Sequence, residues 1–166
     1  MDQTVQNGAN GGTKAAQPPM GIFQAKCDDK GRLKMPAEFA TYLRMLGVGR
    51  VFITTVDLRL IRIYSETIWQ GNQILFGDAG ENAEIAEDVA FIANLFGAYS
   101  DIDDAGRVLI PTELRRRLEI EGQPVWLDFY NGRINVFGKK VYDERMQRAL
   151  VNLSDKVKTL EKKGFK

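Results

Sequence analysis

Two arginines occupy the same local sequence and could carry the same chemistry. Arg32 and Arg107 each end an Asp-Asp-x-Gly-Arg segment. A guanidinium presents its N–H donors in a planar fork, so it can bind a phosphate group through two hydrogen bonds or reach the edge of a guanine. The alternative is a solvated arginine, or one that pairs with the neighbouring aspartates. By itself each segment favours this alternative, and the recurrence of the arginine at equal spacing is one argument for a functional role.

The two arginines belong to a longer repeat. The segment 28–36 (DDKGRLKMP) returns as 103–111 (DDAGRVLIP), with Asp, Asp, Gly, Arg and Pro at equal spacing. The similarity continues downstream, where Val51–Ile53 corresponds to Val125–Leu127 and 61–64 corresponds to 134–137. A solenoid needs at least about three repeats. Two copies instead predict a pseudo-twofold molecule of the α+β class, rich in β-strand, whose copies close against each other.

Each copy predicts a strand, a tight turn, a second strand, a helix and a hairpin. The glycine supplies the positive φ of the turn, and the alternation after it places Arg32 and Lys34 on one strand face, opposite Leu33 and Met35. The predicted strands are 22–27, 32–35, 51–55, 58–64, 98–102, 107–110, 125–130 and 133–137. The predicted helices are 36–46, 66–74 (capped by Ser65), 81–96, 111–118 and 141–160. Because exposed strand edges must be covered, we expect the two copies to interleave their hairpins in one barrel.

The predicted organisation has five parts. Residues 1–19 lack an apolar segment and are expected to form a disordered leader. The parts that follow are a first repeat (20–80), a linker helix (81–97), a second repeat (98–148) and a basic helical tail (149–166). The lysines of the tail indicate a solubilising segment, with an accessory phosphate contact as the alternative. Its apolar stripe is typical of helix packing or contact between subunits (Leu150, Leu153, Val157, Leu160).

Composition excludes several classes of function. The chain has 166 residues, a net charge of +1, one cysteine and no histidine. The missing histidine removes His-based catalysis and most zinc sites, so no enzyme, no cofactor and no metal site are expected. The single Cys27 is expected to be buried, and with no export signal it indicates a reducing cytoplasm. The near-neutral charge gives no global positive field, although local clusters can still bind phosphates.

The duplicated Asp-x-x-Gly-Arg-x-x-x-Pro pattern resembles the MraZ family of bacterial transcriptional regulators, which are built from two AbrB-like swapped-hairpin units. The resemblance covers 20–146. It implies a swapped-hairpin β-barrel with flanking helices, a ring-shaped homo-oligomer, and a cytoplasmic, nucleoid-associated protein. It also implies binding to double-stranded DNA at short direct repeats in the promoter of the division and cell-wall gene cluster. No membrane and no small-molecule substrate are expected as partners.

The resemblance also implies a set of DNA-binding residues. They lie on the turns and on the strands and helix that follow (Lys30, Gly31, Arg32, Lys34, Gly106, Arg107, Arg115). The family pattern has an arginine four residues after the proline; the second copy has it as Arg115, whereas the first copy has Ala40. Arg44, one helical turn further on, could compensate. Ala105 stands in the second copy where the first has Lys30, so the two halves are expected to contact DNA unequally.

Two other functions compete with DNA binding. The first is a protein-interaction or assembly module that uses the same barrel without DNA, which the near-neutral charge and Ala40 favour. The second is an enzyme that uses the aspartate pairs, but aspartates in a tight turn diverge and bond their own backbone. The basic run Arg115–Arg117 fits a solvated face, a DNA contact or a subunit interface.

Overall fold

Short strands alternate with helices along the chain, and the computed structural model describes residues 15–166. Most of the leader predicted over 1–19 therefore lies outside the described residues. The strands are β1 (Phe23–Lys26), β2 (Arg32–Lys34), β3 (Arg50–Thr54), β4 (Ile61–Ser65), β5 (Ala98–Asp101), β6 (Arg107–Leu109), β7 (Pro124–Tyr130) and β8 (Arg133–Gly138). The helices are α1 (Ala37–Met45), α2 (Glu66–Gly77), α3 (Ala83–Phe96), α4 (Thr112–Arg117), α5 (Lys139–Leu150) and α6 (Leu153–Glu161), with a short 3-10 turn at Gly80–Asn82. The fold is mixed α+β, as predicted.

The strands of the two copies pair with each other. One antiparallel sheet has the order β1-β7-β8-β4-β3-β5, and a second, two-stranded sheet pairs β2 with β6. The first strand of each copy therefore joins the hairpin of the other copy, β1 on β7 and β5 on β3. The hairpins β3–β4 and β7–β8 meet at the centre through β4 and β8. Neither copy has a complete sheet of its own, so the two copies fold as one unit.

The repeated apolar positions form one shared core. Val51, Ile53, Val125 and Leu127 are completely buried, and the matching residues of the next strands are at most 2% exposed. Beneath β2 and β6 lie buried apolar side chains from both copies (Leu33, Met35, Val108, Ile110). Each fully buried aliphatic side chain contributes roughly 1.5–3 kcal/mol of hydrophobic stabilisation. The alternation in β2 and β6 therefore fixes which face of this ribbon points outwards.

Local chemistry explains where the elements begin and end. The Ser65 hydroxyl accepts a hydrogen bond from the Ile68 N–H, which confirms the predicted cap of α2. Residues 58–60 are a loop instead of the predicted strand start, because Leu58 has a φ of +57° and its N–H bonds the Thr55 hydroxyl. The helix predicted over 141–160 is divided, because Asn152 adopts a left-handed conformation between α5 and α6.

Candidate nucleic-acid interface

An aspartate organises each hairpin turn and fixes the arginine that follows. Asp28 Oδ1 accepts the backbone N–H groups of Lys30 (3.0 Å) and Arg32 (2.9 Å), and its Oδ2 accepts Nε–H of Arg32 at 2.8 Å. In the second copy, Asp103 makes the equivalent bonds to Arg107, at 2.8 Å to the backbone and 2.7 Å to Nε. The first aspartate of each pair is therefore a turn cap that orients an arginine.

These bonds also set the ionisation of the aspartates. The backbone N–H of Arg32 lowers the pKa of the Asp28 carboxyl below its usual value, and the Arg32 side chain adds to this effect. The backbone N–H of Arg107 lowers the pKa of Asp103 in the same way. Both turns therefore hold an ionised carboxylate at neutral pH. Such a carboxylate cannot donate a proton, which argues against an acid catalyst in either turn.

Both arginines keep part of the guanidinium available. The side chains of Arg32 and Arg107 are 32% and 33% exposed. Within the described residues, Nη1 and Nη2 of these two arginines have no hydrogen-bond partner, because only Nε engages the aspartate. Each group is thus oriented from one side while two nitrogens remain free to donate. This arrangement suits bidentate contact with a phosphate or a guanine.

The β2–β6 ribbon gathers further positive charge on its outer face. In its antiparallel register Lys34 lies opposite Arg107, and Arg32 lies opposite Leu109. Directly opposed residues share a face, and two like charges in this position destabilise a sheet. Lys34 and Leu109 are exposed, whereas the alternate residues beneath them are buried. The face therefore presents three cationic side chains, of which the two arginines are paired with Asp28 and Asp103 and Lys34 is exposed.

The turn glycines dock each hairpin on the opposite copy. Gly31 and Gly106 are buried, with φ values of +79° and +76°. The Gly31 carbonyl accepts the Ile110 N–H at 3.0 Å, and the Gly106 carbonyl accepts the Met35 N–H at 3.0 Å. Both glycines, predicted as members of the DNA-binding set, thus act through backbone geometry in the described structure. Lys30 is exposed beside Gly31 at the tip of the first turn.

Arg115 packs against the turn of the first hairpin. Its side chain is 12% exposed and is bonded to the Ile110 carbonyl, the Glu121 carboxylate (3.2 Å) and the Thr112 hydroxyl (3.3 Å). Its guanidinium packs on Gly31 so closely that a Cβ added there would overlap it. The structure therefore surrounds Arg115 with contacts inside the protein.

In the first copy the position equivalent to Arg115 is occupied by Ala40. A Cβ added at Gly106 would lie 3.2 Å from the Ala40 Cβ, with no other heavy atom of the described residues within 4 Å apart from the chain neighbours. Arg44 is exposed and does not reach this site, so Ala40 has no arginine beside it here, and the predicted compensation by Arg44 in DNA contact stays a prediction. The two hairpins thus have equivalent hydrogen bonds in their turns, but only the first turn packs against an arginine side chain.

The remaining candidates have structural surroundings. Arg116 pairs with Glu113 at 3.8 Å, and the Arg117 guanidinium lies 5.4 Å from the centre of the Phe96 ring. Cys27 is buried, as predicted, and burial raises the pKa of its thiol to about 11, so the thiol is neutral and unreactive. Over 15–166 there is no group of three or more acidic or Cys side chains arranged to hold a metal ion. No helix in this range is long and apolar enough to cross a membrane.

Sequence reasoning missed the cross-strand neighbours on the ribbon. The juxtaposition of Lys34 with Arg107, and of Leu109 with Arg32, depends on pairing between the copies. The repeat aligns Lys34 with Leu109, so one copy supplies a cation and the other an apolar side chain at the same structural position. Aligning the two copies at this position would have drawn attention to Leu109 as a possible surface residue. Leu109, at 54% exposed, joins the candidate surface.

Comparisons with known proteins give one consistent result. No protein-family model matches the chain. A transcriptional regulator MraZ of Neisseria meningitidis is 28% identical over 137 residues, which is 78% of this chain and 86% of that protein. The MraZ regulator of Acidobacterium capsulatum is 27% identical over 75% of this chain and 78% of its own length. That of Pediococcus pentosaceus is 26% identical over 82% of this chain and 92% of its own.

These relatives are described as transcriptional regulators and not as enzymes. Their similarity extends over both copies of the repeat, because it covers most of the chain. It agrees with the resemblance carried by the two Asp-x-x-Gly-Arg-x-x-x-Pro segments and with the non-enzymatic character predicted from composition. The chain is therefore a homologue of the MraZ transcriptional regulators.

Proposed function

We propose that this protein is a sequence-specific DNA-binding transcriptional regulator that recognises short direct repeats in a promoter, in particular that of the division and cell-wall gene cluster. One observation carries the proposal: the paired hairpins present Arg32 and Arg107 with two free guanidinium nitrogens each, on a ribbon that also holds Lys34. A two-stranded ribbon fits the major groove of B-DNA, which is about 12 Å wide. The relatives named as regulators support the same function.

The residues of the ribbon divide into two roles under this proposal. Arg32 and Arg107 read base edges or clamp phosphates through their free nitrogens, because the aspartates fix their direction. Lys34 and Lys30 neutralise phosphates as flexible point charges. Gly31 and Gly106 set the backbone turns that bring these side chains forward. Arg115 packs on Gly31 and is bonded to the Ile110 carbonyl and the Glu121 carboxylate.

We also propose that the two sheets close into a swapped-hairpin barrel made of two tandem units, 20–80 and 98–148. A bridge between Cys27 and Leu33 links the end of β1 to β2. Within the turns, the Asp28 N–H bonds the Arg32 carbonyl at 2.8 Å, and the Asp103 N–H bonds the Arg107 carbonyl at 3.0 Å. These links support closure, because they join the two-stranded ribbon to both edges of the six-stranded sheet.

The proposed ring-shaped oligomer is supported by two apolar surfaces of opposite charge. The α2–α3 surface is defined by exposed apolar side chains of these two helices (Ile74, Leu75, Ile85, Phe91, Leu95). The α5–α6 surface is defined by those of the last two helices (Met146, Leu150, Leu153, Leu160). Residues 66–96 contain Asp and Glu but no Lys or Arg, whereas basic residues outnumber acidic ones in 139–166. Contact between unlike surfaces of successive copies is heterologous, and such contacts generate rings when they close.

Several weak DNA contacts would add in such an oligomer. A ring repeats the ribbon at fixed spacing, so one copy bound to a direct repeat raises the effective concentration of the next. This arrangement matches a target made of repeated short sites. As a DNA-binding regulator, the protein is proposed to be cytoplasmic and nucleoid-associated, with neither a membrane nor a small-molecule substrate as a partner.

The test is retardation of promoter DNA by wild-type protein and by Arg32→Ala/Arg107→Ala. The fragments are the region upstream of the protein's own gene and the division-cluster promoter. Loss of two base contacts costs about 2 kcal/mol or more, so we expect the affinity of the double variant to fall at least about 30-fold. Arg116→Ala is the matched control, since it removes an exposed arginine that lies off the ribbon. Unchanged binding by a folded double variant would overturn the mechanism.

A protein-interaction module that does not bind DNA is the second candidate. The net charge of +1 favours it, because non-specific DNA affinity depends on excess positive charge. It predicts that folded, oligomeric wild-type protein retards neither promoter fragment at low salt. The same experiment therefore decides between the two functions.

A further inference from the structure

Each hairpin is held at its turn by the opposite copy, through the same backbone bond. The Gly31 carbonyl accepts the N–H of Ile110, and the Gly106 carbonyl accepts the N–H of Met35, both at 3.0 Å. Ile110 and Met35 are equivalent residues, each preceding the proline of its repeat. The backbone support is therefore symmetric. Any difference between the hairpins must come from the side chains packed on these docking points.

Arg115 reinforces one docking point. Its Nη1 donates to the carbonyl of Ile110, the residue whose N–H holds Gly31. The same guanidinium lies directly on Gly31, so a Cβ at this position would have to displace it. Glu121 and Thr112 engage its other nitrogens. These three bonds lie within the second copy, and they hold the planar group in place against Gly31, which a single point charge on a flexible side chain would not do.

Ala40 leaves the other docking point without this reinforcement. It is the repeat equivalent of Arg115, and its methyl group is the only side-chain atom of the described residues within 4 Å of a Cβ built at Gly106. A methyl group cannot donate a hydrogen bond to the Met35 carbonyl. The second hairpin therefore depends on its backbone bond and its own aspartate cap.

We propose that Arg115 is a positioning residue that braces the first hairpin, and that the first hairpin is consequently the dominant DNA-reading element of this protein. The proposal rests on the proposed function. A second difference falls on the same hairpin: its turn carries the exposed Lys30, where the other turn has Ala105. The first hairpin thus has both the support of Arg115 and an additional cation in its turn. A pre-organised hairpin loses less freedom on binding, so it contributes more affinity for the same contacts.

Hydrogen exchange of the free, full-length protein tests the brace without DNA. In the wild type we expect the Ile110 amide to exchange more slowly than the Met35 amide. Arg115→Ala should accelerate exchange at Ile110 and over 28–32, and leave 103–107 unchanged. Ala40→Arg is the matched variant, which should slow exchange at Met35 and over 103–107. Equal protection of the two amides in the wild type, or no local effect of Arg115→Ala, would overturn the proposal that Arg115 positions the first hairpin.

The salt dependence of DNA binding separates positioning from direct contact. A residue that contacts a phosphate contributes about 0.9 to the slope of log affinity against log salt concentration. We expect Arg115→Ala to lower affinity about fivefold to tenfold with an unchanged slope, and Arg115→Lys to fail to restore it. Lys30→Ala is the control whose slope should fall. A slope reduced by about one in Arg115→Ala, with recovery in Arg115→Lys, would show a phosphate contact and overturn the proposal.

The two experiments also separate this proposal from the proposed function. If wild-type protein bound neither promoter fragment, DNA recognition would be wrong, and the dominant role of the first hairpin would fall with it. The exchange measurement would still decide whether Arg115 braces that hairpin. Circular dichroism of Arg115→Ala and Arg115→Lys establishes folding, and if the alanine variant does not fold, the lysine and Ala40→Arg variants carry the test.

Discussion

At the residue scale, each candidate arginine forms a hydrogen-bonded ion pair with the aspartate four positions before it. Asp28 and Asp103 each bond the backbone and Nε of their arginine, so one carboxylate both closes the turn and aims the guanidinium. The predicted alternative of an arginine paired with its neighbours is therefore correct in geometry, and the pairing leaves Nη1 and Nη2 free. Pairing and DNA contact are compatible because they use different nitrogens.

The aspartate caps predict a specific dependence of stability on pH. The folded-state pKa values of Asp28 and Asp103 lie below the ordinary value of 3.8. Their stabilising effect is therefore fully present above that value and is lost as the pH falls through the lowered folded-state values. We expect Asp28→Asn/Asp103→Asn to lower the midpoint of urea unfolding at pH 7 and to flatten its fall in acid.

The neighbouring aspartates provide the control for this experiment. Asp29→Asn/Asp104→Asn changes the net charge equally, but neither side chain makes a hydrogen bond to another described residue. Urea unfolding of this control at both pH values should resemble that of the wild type. An equal loss of stability in the two double variants would mean that net charge, and not turn capping, is responsible.

Lys34 predicts opposite effects on stability and on binding. It lies across the ribbon from Arg107, and like charges in that position destabilise a sheet by about 0.2–1 kcal/mol. Lys34→Ala should therefore raise the free energy of unfolding slightly, while it weakens DNA binding and lowers the salt slope by about 0.9. Urea unfolding and binding isotherms at several salt concentrations measure both effects. A variant that is less stable and binds DNA as well as the wild type would contradict this role.

At the scale of the element, the hairpin turn is limited by space as well as by backbone angle. Gly31, Gly47 and Gly106 all have positive φ values, between +72° and +79°, but their surroundings differ. A Cβ at Gly47 would meet no heavy atom within 4 Å, one at Gly106 would approach Ala40, and one at Gly31 would overlap Arg115. The backbone strain of an alanine would thus be similar at the three glycines, whereas the steric crowding of its Cβ would increase from Gly47 to Gly106 to Gly31.

This series predicts a ranking of alanine substitutions. Gly47→Ala should cost about 1–2 kcal/mol from backbone strain alone. Gly106→Ala should cost slightly more, and Gly31→Ala about 1–3 kcal/mol beyond Gly47→Ala because of overpacking. In the double variant Gly31→Ala/Arg115→Ala the overlap disappears, so the two costs should be less than additive. Denaturant unfolding of these four variants and of Arg115→Ala gives the ranking and the additivity, and equal costs at the three glycines would refute the ranking.

At the scale of the whole molecule, the two copies share one core but expose different helices. The strands exchange between copies, whereas the helix pairs α2–α3 and α5–α6, which each follow a hairpin, differ in charge, the first acidic and the second mainly basic. The pseudo-twofold symmetry of the sheet therefore does not extend to the surface. An asymmetric surface with complementary charge is suited to heterologous contact between successive molecules.

This asymmetry predicts where a substitution breaks the proposed oligomer. Phe91, 65% exposed on α3, belongs to the apolar α2–α3 surface, so Phe91→Asp should reduce the oligomer to smaller species without lowering the melting temperature. Tyr130→Asp, at a residue 68% exposed in the β7–β8 hairpin, is the matched control and should leave the assembly intact. Light scattering after size exclusion measures both. An unchanged mass for Phe91→Asp would exclude the α2–α3 surface as the interface.

The sequence by itself determined the features that depend on neighbouring residues. The duplicated turn, its aspartate cap, the alternation that buries Leu33 and exposes Lys34, and the Ser65 cap are all made within a few residues. The Asn131-Gly132 hairpin, predicted from the same local chemistry, has φ values of +54° and +77°. Short-range hydrogen bonds and strand alternation are encoded locally, so they could be read before any pairing was known.

Only the tertiary structure decided which residues meet across the two copies. Lys34 beside Arg107 and Arg115 on Gly31 join segments far apart in the chain, and each depends on strand register between copies. The family resemblance implied that Arg115, four positions after Pro111, is among the DNA-binding residues, whereas packing surrounds it with protein contacts. Spacing along a helix gives the direction of a side chain, but burial depends on which partner covers that direction. The exchange of strands between the two copies determines that partner.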